Sequence, residues 1–125
     1  MASMTALAEY PGRIEKSFLN KTISKSGVYG IKMYVMGTPM TITIDDYLPV
    51  LDNNRLLYAG IGDDKSLWSA LMEKAFAKLH GNYARTVAGD PVDGVSTLNG
   101  SPYTRFWTAD ESEEELWSII THHKH

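Results

Sequence analysis

The sequence predicts an α+β fold with a β-hairpin, a central amphipathic helix over about 67–80 and a C-terminal helix over about 108–121. Three observations carry this. Ile31, Met33 and Val35 alternate with Lys32, Tyr34 and Met36, and Met40, Ile42 and Ile44 alternate with Thr41 and Thr43, the period of a half-buried strand pair. Leu67, Trp68, Leu71, Met72, Ala75, Phe76 and Leu79 recur at three- and four-residue steps, one apolar stripe on a helix. Leu116, Ile119 and Ile120 form a second such face.

Taken in order, Ala6–Tyr10 reads as the end of a helix stopped by Pro11-Gly12, and residues 1–5 look vector-derived. Ile14, Phe18 and Leu19 suit a short amphipathic turn, and Lys21–Gly27 a polar connection. Met36-Gly37-Thr38-Pro39 is the hairpin turn, with Gly37 suited to positive φ. Asp45-Asp46 ends the second strand, and Leu56–Ala59 reads as a short strand or bridge. Asp64 or Ser66 is placed to cap the central helix, and Gly81 to end it. Asn82–Gly100 reads as irregular, anchored by Tyr83 and Val87. Thr108 and Glu111 have capping-box spacing. Five of the six residues from Asp110 to Glu115 are acidic, which reads as a solvated first turn matched to the helix dipole before it reads as a calcium or partner site. His122, His123, Lys124 and His125 read as a tail, with weak metal binding the alternative. No repeat or inter-domain linker is visible, so residues 6–121 form one unit.

Composition narrows the function classes. In 125 residues, 43% are hydrophobic and 22% charged, enough for one core and unlike a disordered chain. The net charge is −3, with no basic stripe for nucleic acid and no Lys/Arg block for a membrane surface. Apolar runs are far shorter than the roughly 20 residues of a membrane span. No basic segment leading into an apolar one marks a secretory signal, so the Asn20-Lys21-Thr22 and Asn99-Gly100-Ser101 sequons have nothing routing them to glycosylation. The chain holds no cysteine, which excludes disulfides, zinc–thiolate sites and any thiol nucleophile within it.

The residues alone offer no catalytic set. Gly94-Val95-Ser96 lacks the closing glycine of a nucleophile elbow. Residues 60–66, Gly-Ile-Gly-Asp-Asp-Lys-Ser, lack the leading spacing of a phosphate-binding loop. Asp45 and Asp46 are neighbours on a strand end and point to opposite faces, a poor acid/base pair better suited to capping a turn. His80 falls on the last turn of the central helix, where a cation is favoured.

One stretch is more specific. Asp45-Asp46-Tyr47-Leu48-Pro49, followed by Trp68, Leu71, Glu73, Lys74, Ala75, Ala77, Lys78, Gly81 and Tyr83, meets every fixed position of D-D-x-L-P and W-x-x-L-x-E-K-A-x-A-K-x-x-G-x-Y. It resembles the calpain family of cysteine endopeptidases. The hairpin at Gly30–Gly37 and the Leu98-Asn99-Gly100-Ser101-Pro102 run look like the family's hairpin and its L-T-G-x-P loop, with Asn99 where the family has Thr. The likeness covers most of Ala6–Thr121.

The resemblance implies a partial papain-like lobe from an intracellular, cytoplasmic endopeptidase that attacks protein or peptide substrates with a thiolate paired to a histidine. The family's Cys opens the helix whose tail Ala6–Tyr10 resembles, and its His and Asn belong to a second lobe. No catalytic residue is therefore placed in this chain, and alone it is expected to be inactive. A catalytically dead calpain-like binding or scaffold module is the alternative. A glycine pair after the Trp-led helix binds substrate backbone in the family; Ala88-Gly89 falls there, making Gly89 the substrate-binding candidate beside the plainer reading of a turn glycine. The family can bind calcium through a carboxylate two residues before the Trp. Ser66 stands there, with Asp63 and Asp64 nearby but off register, so these are weak calcium candidates and no cofactor is assigned to the chain itself. Asp45, Asp46, Trp68, Glu73, Lys74, Gly81 and Tyr83 are expected to serve architecture. An exposed apolar seam is expected to drive self-association.

Overall fold

The structure, a computed structural model, describes residues 2–63 and 65–122. Asp64, His123, Lys124 and His125 lie outside the described residues, as does Met1. Helix α1 spans Ala2–Ala8 and turns Met4 and Leu7 inward, so part of the segment read as vector-derived packs in the core. Helix α2 spans Pro11–Ser17. Pro11 thus opens a helix instead of ending one: at the first helical position its missing N–H is an orphan donor anyway, and its fixed φ suits the turn. Tyr10 before it is extended, with φ −114° and ψ 95°.

Strands β1, Val28–Val35, and β2, Thr38–Asp45, pair antiparallel with Ile31 opposite Ile42 and Met33 opposite Met40. Met36 (φ 49°) and Gly37 (φ 77°) both adopt positive φ, as a two-residue turn matching strand twist requires. Ile31, Met33, Ile42 and Ile44 are buried on one face. Val35 and Met40, read as inward, are 36% and 45% exposed near the hairpin tip. The outer edge of β1 is not left open. Leu19 N–H donates to the Gly30 carbonyl at 2.9 Å, and the Asn20 amide accepts from Gly30 N–H at 2.9 Å and donates to the Val28 carbonyl at 3.4 Å. Leu56 forms an isolated bridge with Val50, as the short apolar run there predicts.

Helix α3 spans Trp68–His80. Leu71, Met72 and Ala75 are buried against the hairpin, with Trp68, Phe76 and Leu79 packed on the same cluster. Leu67, not Ser66, occupies the cap position, and its side chain makes no cap hydrogen bond. Gly81 ends it at φ 102° and donates to the Lys78 carbonyl at 3.2 Å.

Residues 82–100 are more regular than the sequence predicts. A 3-10 turn covers Tyr83–Thr86, capped by Asn82, whose side chain accepts from Arg85 N–H at 3.0 Å. Helix α4 spans Pro91–Asn99; Asp90 caps its start and Gly100, at φ 75°, closes it. Pro91 and Gly100 read as breakers yet occupy the boundary places where proline and glycine favour a helix. Gly94 lies where α1 approaches: a Cβ there would be 2.6 Å from Ser3 Oγ. Val87 is 77% exposed and anchors nothing, whereas the Tyr83 ring stacks on Tyr58 at 4.4 Å between centroids.

Helix α5 spans Glu113–His122 and starts later than Thr108. The capping box forms with Ser112 and Glu115 instead: Ser112 N–H donates to Glu115 Oε2 at 2.9 Å, and Glu115 N–H to Ser112 Oγ at 3.3 Å. Residues 108–110 form only a turn, so Thr108 and Glu111 have no helix to cap. No α5 residue is buried. The core therefore lies between the inner hairpin face and α1–α4, with α2 and α4 against β1, α3 against β2, and α1 on α2 and α4.

Candidate functional site

The polar residues of the α3 motif fasten α3 to its surroundings. Lys74 Nζ donates to Asp45 Oδ1 and to the Tyr47 carbonyl, and Lys78 Nζ, one turn on, donates to the Thr43 carbonyl at 2.6 Å. Asp45 Oδ1 also accepts from Tyr47 N–H at 2.9 Å. On another side Glu73 Oε2 accepts from Ala59 N–H at 2.7 Å, and Ser69 Oγ donates to the Gly60 carbonyl at 3.2 Å. One helix thus satisfies backbone groups at the end of β2 and in the 56–60 loop, which have no strand partner there. The Lys74 ammonium, with the Tyr47 amide, holds the Asp45 carboxyl below its ordinary range.

The remaining paired aspartate does something different. A Cβ at Gly27, which sits at φ +68°, would come 2.7 Å from Asp46 Oδ1, so the Asp46 carboxylate closes over a glycine. Tyr83 has its hydroxyl pKa raised by burial, with Glu73 adding to the effect. Asp45 and Asp46 therefore face separate partners rather than a shared centre. Lys78, Ser69 and Tyr58 carry no site reading in the sequence, and Asn20 is legible there only as a sequon; Lys78 alone has a signal for its role, its fixed place in the motif.

Gly89 is placed differently. It lines a cavity of about 160 Å³ with Ser3, Met4, Glu73, Phe76 and Asp90, beside the first turn of α1. A Cβ there would meet nothing within 4 Å, and its φ is not left-handed. Among the described residues neither its N–H nor its carbonyl makes a hydrogen bond. Among the described residues no atom stands where a side chain at 89 would go, and its peptide groups have no partner there. A wider hollow of about 680 Å³ lies between Trp68, Phe18, Ile14 and Ala8; its Lys21 ammonium is engaged by the Glu15 and Phe18 carbonyls.

Asp63 is exposed in a turn, and Asp64 lies outside the described residues. Among the described residues no three His, Asp or Glu side chains converge to hold a metal. His80 Nδ1 lies 2.9 Å from the Phe76 carbonyl, and its ring packs on Phe76. Asn20 and Asn99, the sequon asparagines, are bonded to β1 and to Ser101 N–H. No helix among the described residues is long and apolar enough to cross a membrane.

These features define a lobe whose motif residues build the scaffold, with the Gly89 peptide among the backbone groups left unbonded. The chain belongs to the calpain family of cysteine proteases: the family model described as calpain family cysteine protease matches residues 1–125. Calpain-8 of Rattus norvegicus is 33% identical over 95 residues, 76% of this chain and 13% of that protein. Calpain-13 of Rattus norvegicus is 31% identical over 122 residues, 96% of this chain and 18% of that protein. Calpain-B of Drosophila melanogaster is 33% identical over 95 residues, 76% of this chain and 10% of that protein. The chain thus spans less than a fifth of the length of these curated relatives.

Proposed function

We propose that this chain is part of the Cys-bearing lobe of a cytoplasmic calpain-type endopeptidase, and that Gly89 supplies backbone hydrogen bonds to an extended polypeptide substrate. The observation that carries this is the unbonded Gly89 peptide beside the first turn of α1. An extended ligand needs such groups for main-chain pairing and needs no side chain in its way. The thiolate, its histidine and the orienting asparagine come from elsewhere in the intact protein. Calcium belongs to this reading only for the intact protein.

The purified 125-residue chain is expected to leave casein intact. Cleavage that persists with thiol-directed inhibitors contradicts the reading. The natural reading frame is expected to encode a Cys in a Gly-x-Cys context about ten residues before Ala6; its absence there favours the catalytically dead binding module. The same reading includes self-association, since Trp117 and Ile120 on α5 are 66% and 58% exposed. A strictly monomeric sedimentation profile at high concentration contradicts that part.

A further inference from the structure

Residues 101–107 have no regular secondary structure, yet two of their side chains are tied to the first turn of α4. Tyr103 donates its hydroxyl to Asp93 Oδ1 at 2.7 Å, and Arg105 Nη2 donates to Asp90 Oδ2. Asp90 directly follows Gly89, and its other oxygen accepts from Val92 N–H at 2.9 Å. One carboxylate therefore caps α4 and receives the guanidinium at once. The Arg105 head also lies over the Trp107 ring, 5.7 Å from its centroid. From the other side Ser3 Oγ donates to the Pro91 carbonyl at 2.8 Å. Gly89 has no hydrogen bond of its own, so its peptide is placed by these flanking restraints.

We infer that Arg105 is a positioning residue: through its ion pair with Asp90 it fixes the Gly89 peptide for an extended polypeptide main chain. The ligand class rests on the reading of Gly89 proposed above. Arg105 and Asp90 side chains are 40% and 31% exposed, a setting in which an ion pair adds little to global stability. Its effect is therefore local, which separates it from a structural role.

The test uses the 125-residue chain with Arg105→Gln, Asp90→Ser and Arg105→Lys. Serine keeps the helix cap while removing the ion pair. The melting temperature should stay unchanged, while the Gly89 amide order parameter falls from about 0.85 toward about 0.6 in the first two variants. Affinity for a capped, fluorescein-labelled unstructured hexapeptide should weaken about fivefold, the upper reach of an exposed pair, and Arg105→Lys should recover most of it. An unchanged Gly89 order parameter in Arg105→Gln and Asp90→Ser overturns the inference, as does a melting-temperature loss that Arg105→Lys does not rescue. If the unaltered chain binds no peptide, the reading of Gly89 falls, and the relaxation data still decide the role of Arg105.

Discussion

Helix α3 and helix α5 are both amphipathic, yet the chain treats them oppositely. α3 buries Leu71, Met72 and Ala75 and places Glu73, Lys74 and Lys78 on named backbone or carboxylate partners. α5 buries nothing, although Trp117, Ile119 and Ile120 are as apolar as the α3 stripe. The difference shows that an apolar stripe alone does not make a core helix. α3 has a hairpin face to cover and strand-end groups to satisfy; α5 has its cap and little else.

The largest effect that separates the two helices comes from truncating their apolar faces. Met72 is fully buried, so Met72→Ala should cost about 2–5 kcal/mol in urea denaturation, enough to unfold much of the chain. Trp117→Ala should stay within about 0.5 kcal/mol, as exposed positions do. Equal losses would place α5 in the core after all.

A smaller loss is expected from Gly100→Ala at the end of α4. The residue sits at φ +75°, and a Cβ there would come 2.6 Å from the Tyr34 ring. A cost of about 2 kcal/mol by thermal melting is expected from the strained backbone and the displaced ring. The same substitution at Gly89, where no atom opposes a Cβ, should leave the melting temperature unchanged.

The clamp of α3 on the end of β2 should show in acid. The Asp45 carboxyl is held below its ordinary value of 3.8 by Lys74. Stability from a depressed carboxyl is fully present above the unfolded value and is lost as pH falls through the folded one. Lys74→Met should therefore lower stability at pH 7 and flatten its decline below pH 3.8. An acid limb as steep as in the unaltered chain would show that the pair is not coupled to folding.

The smallest effect concerns the hairpin tip. Met36 occupies a positive-φ turn position that favours Asn or Gly, and its side chain is wholly exposed. Met36→Asn should raise stability by about 0.5–1 kcal/mol in the same denaturation experiment. A loss would mean that the Met36 side chain contributes packing of its own.

The hairpin, α3 and the Gly37 turn were legible because alternation, helical spacing and a left-handed glycine are local signals. α4 was not, because Gly89, Pro91, Gly94 and Gly100 look like breakers until the helix exists to give them boundary places. The α5 start was displaced because two capping-box patterns, at Thr108 and at Ser112, lie four residues apart, and only the second precedes a helix. The motif's lysines were legible as a pattern, while the Thr43 and Tyr47 carbonyls that receive them come from 27 to 35 residues away. The openness of the Gly89 peptide depends on which groups remain unbonded after folding, which no local pattern encodes.

In the proposed division of labour, an α3 clamp builds the lobe and the Gly89 loop receives the ligand. Amide chemical-shift mapping of the 125-residue chain during titration with a capped, unstructured peptide tests it most directly. Shifts should concentrate at residues 87–91 and in the first turn of α1, with Asp45, Lys74 and Lys78 unmoved. Shifts confined to α5, or centred on the α3 clamp with Gly89 silent, would contradict it.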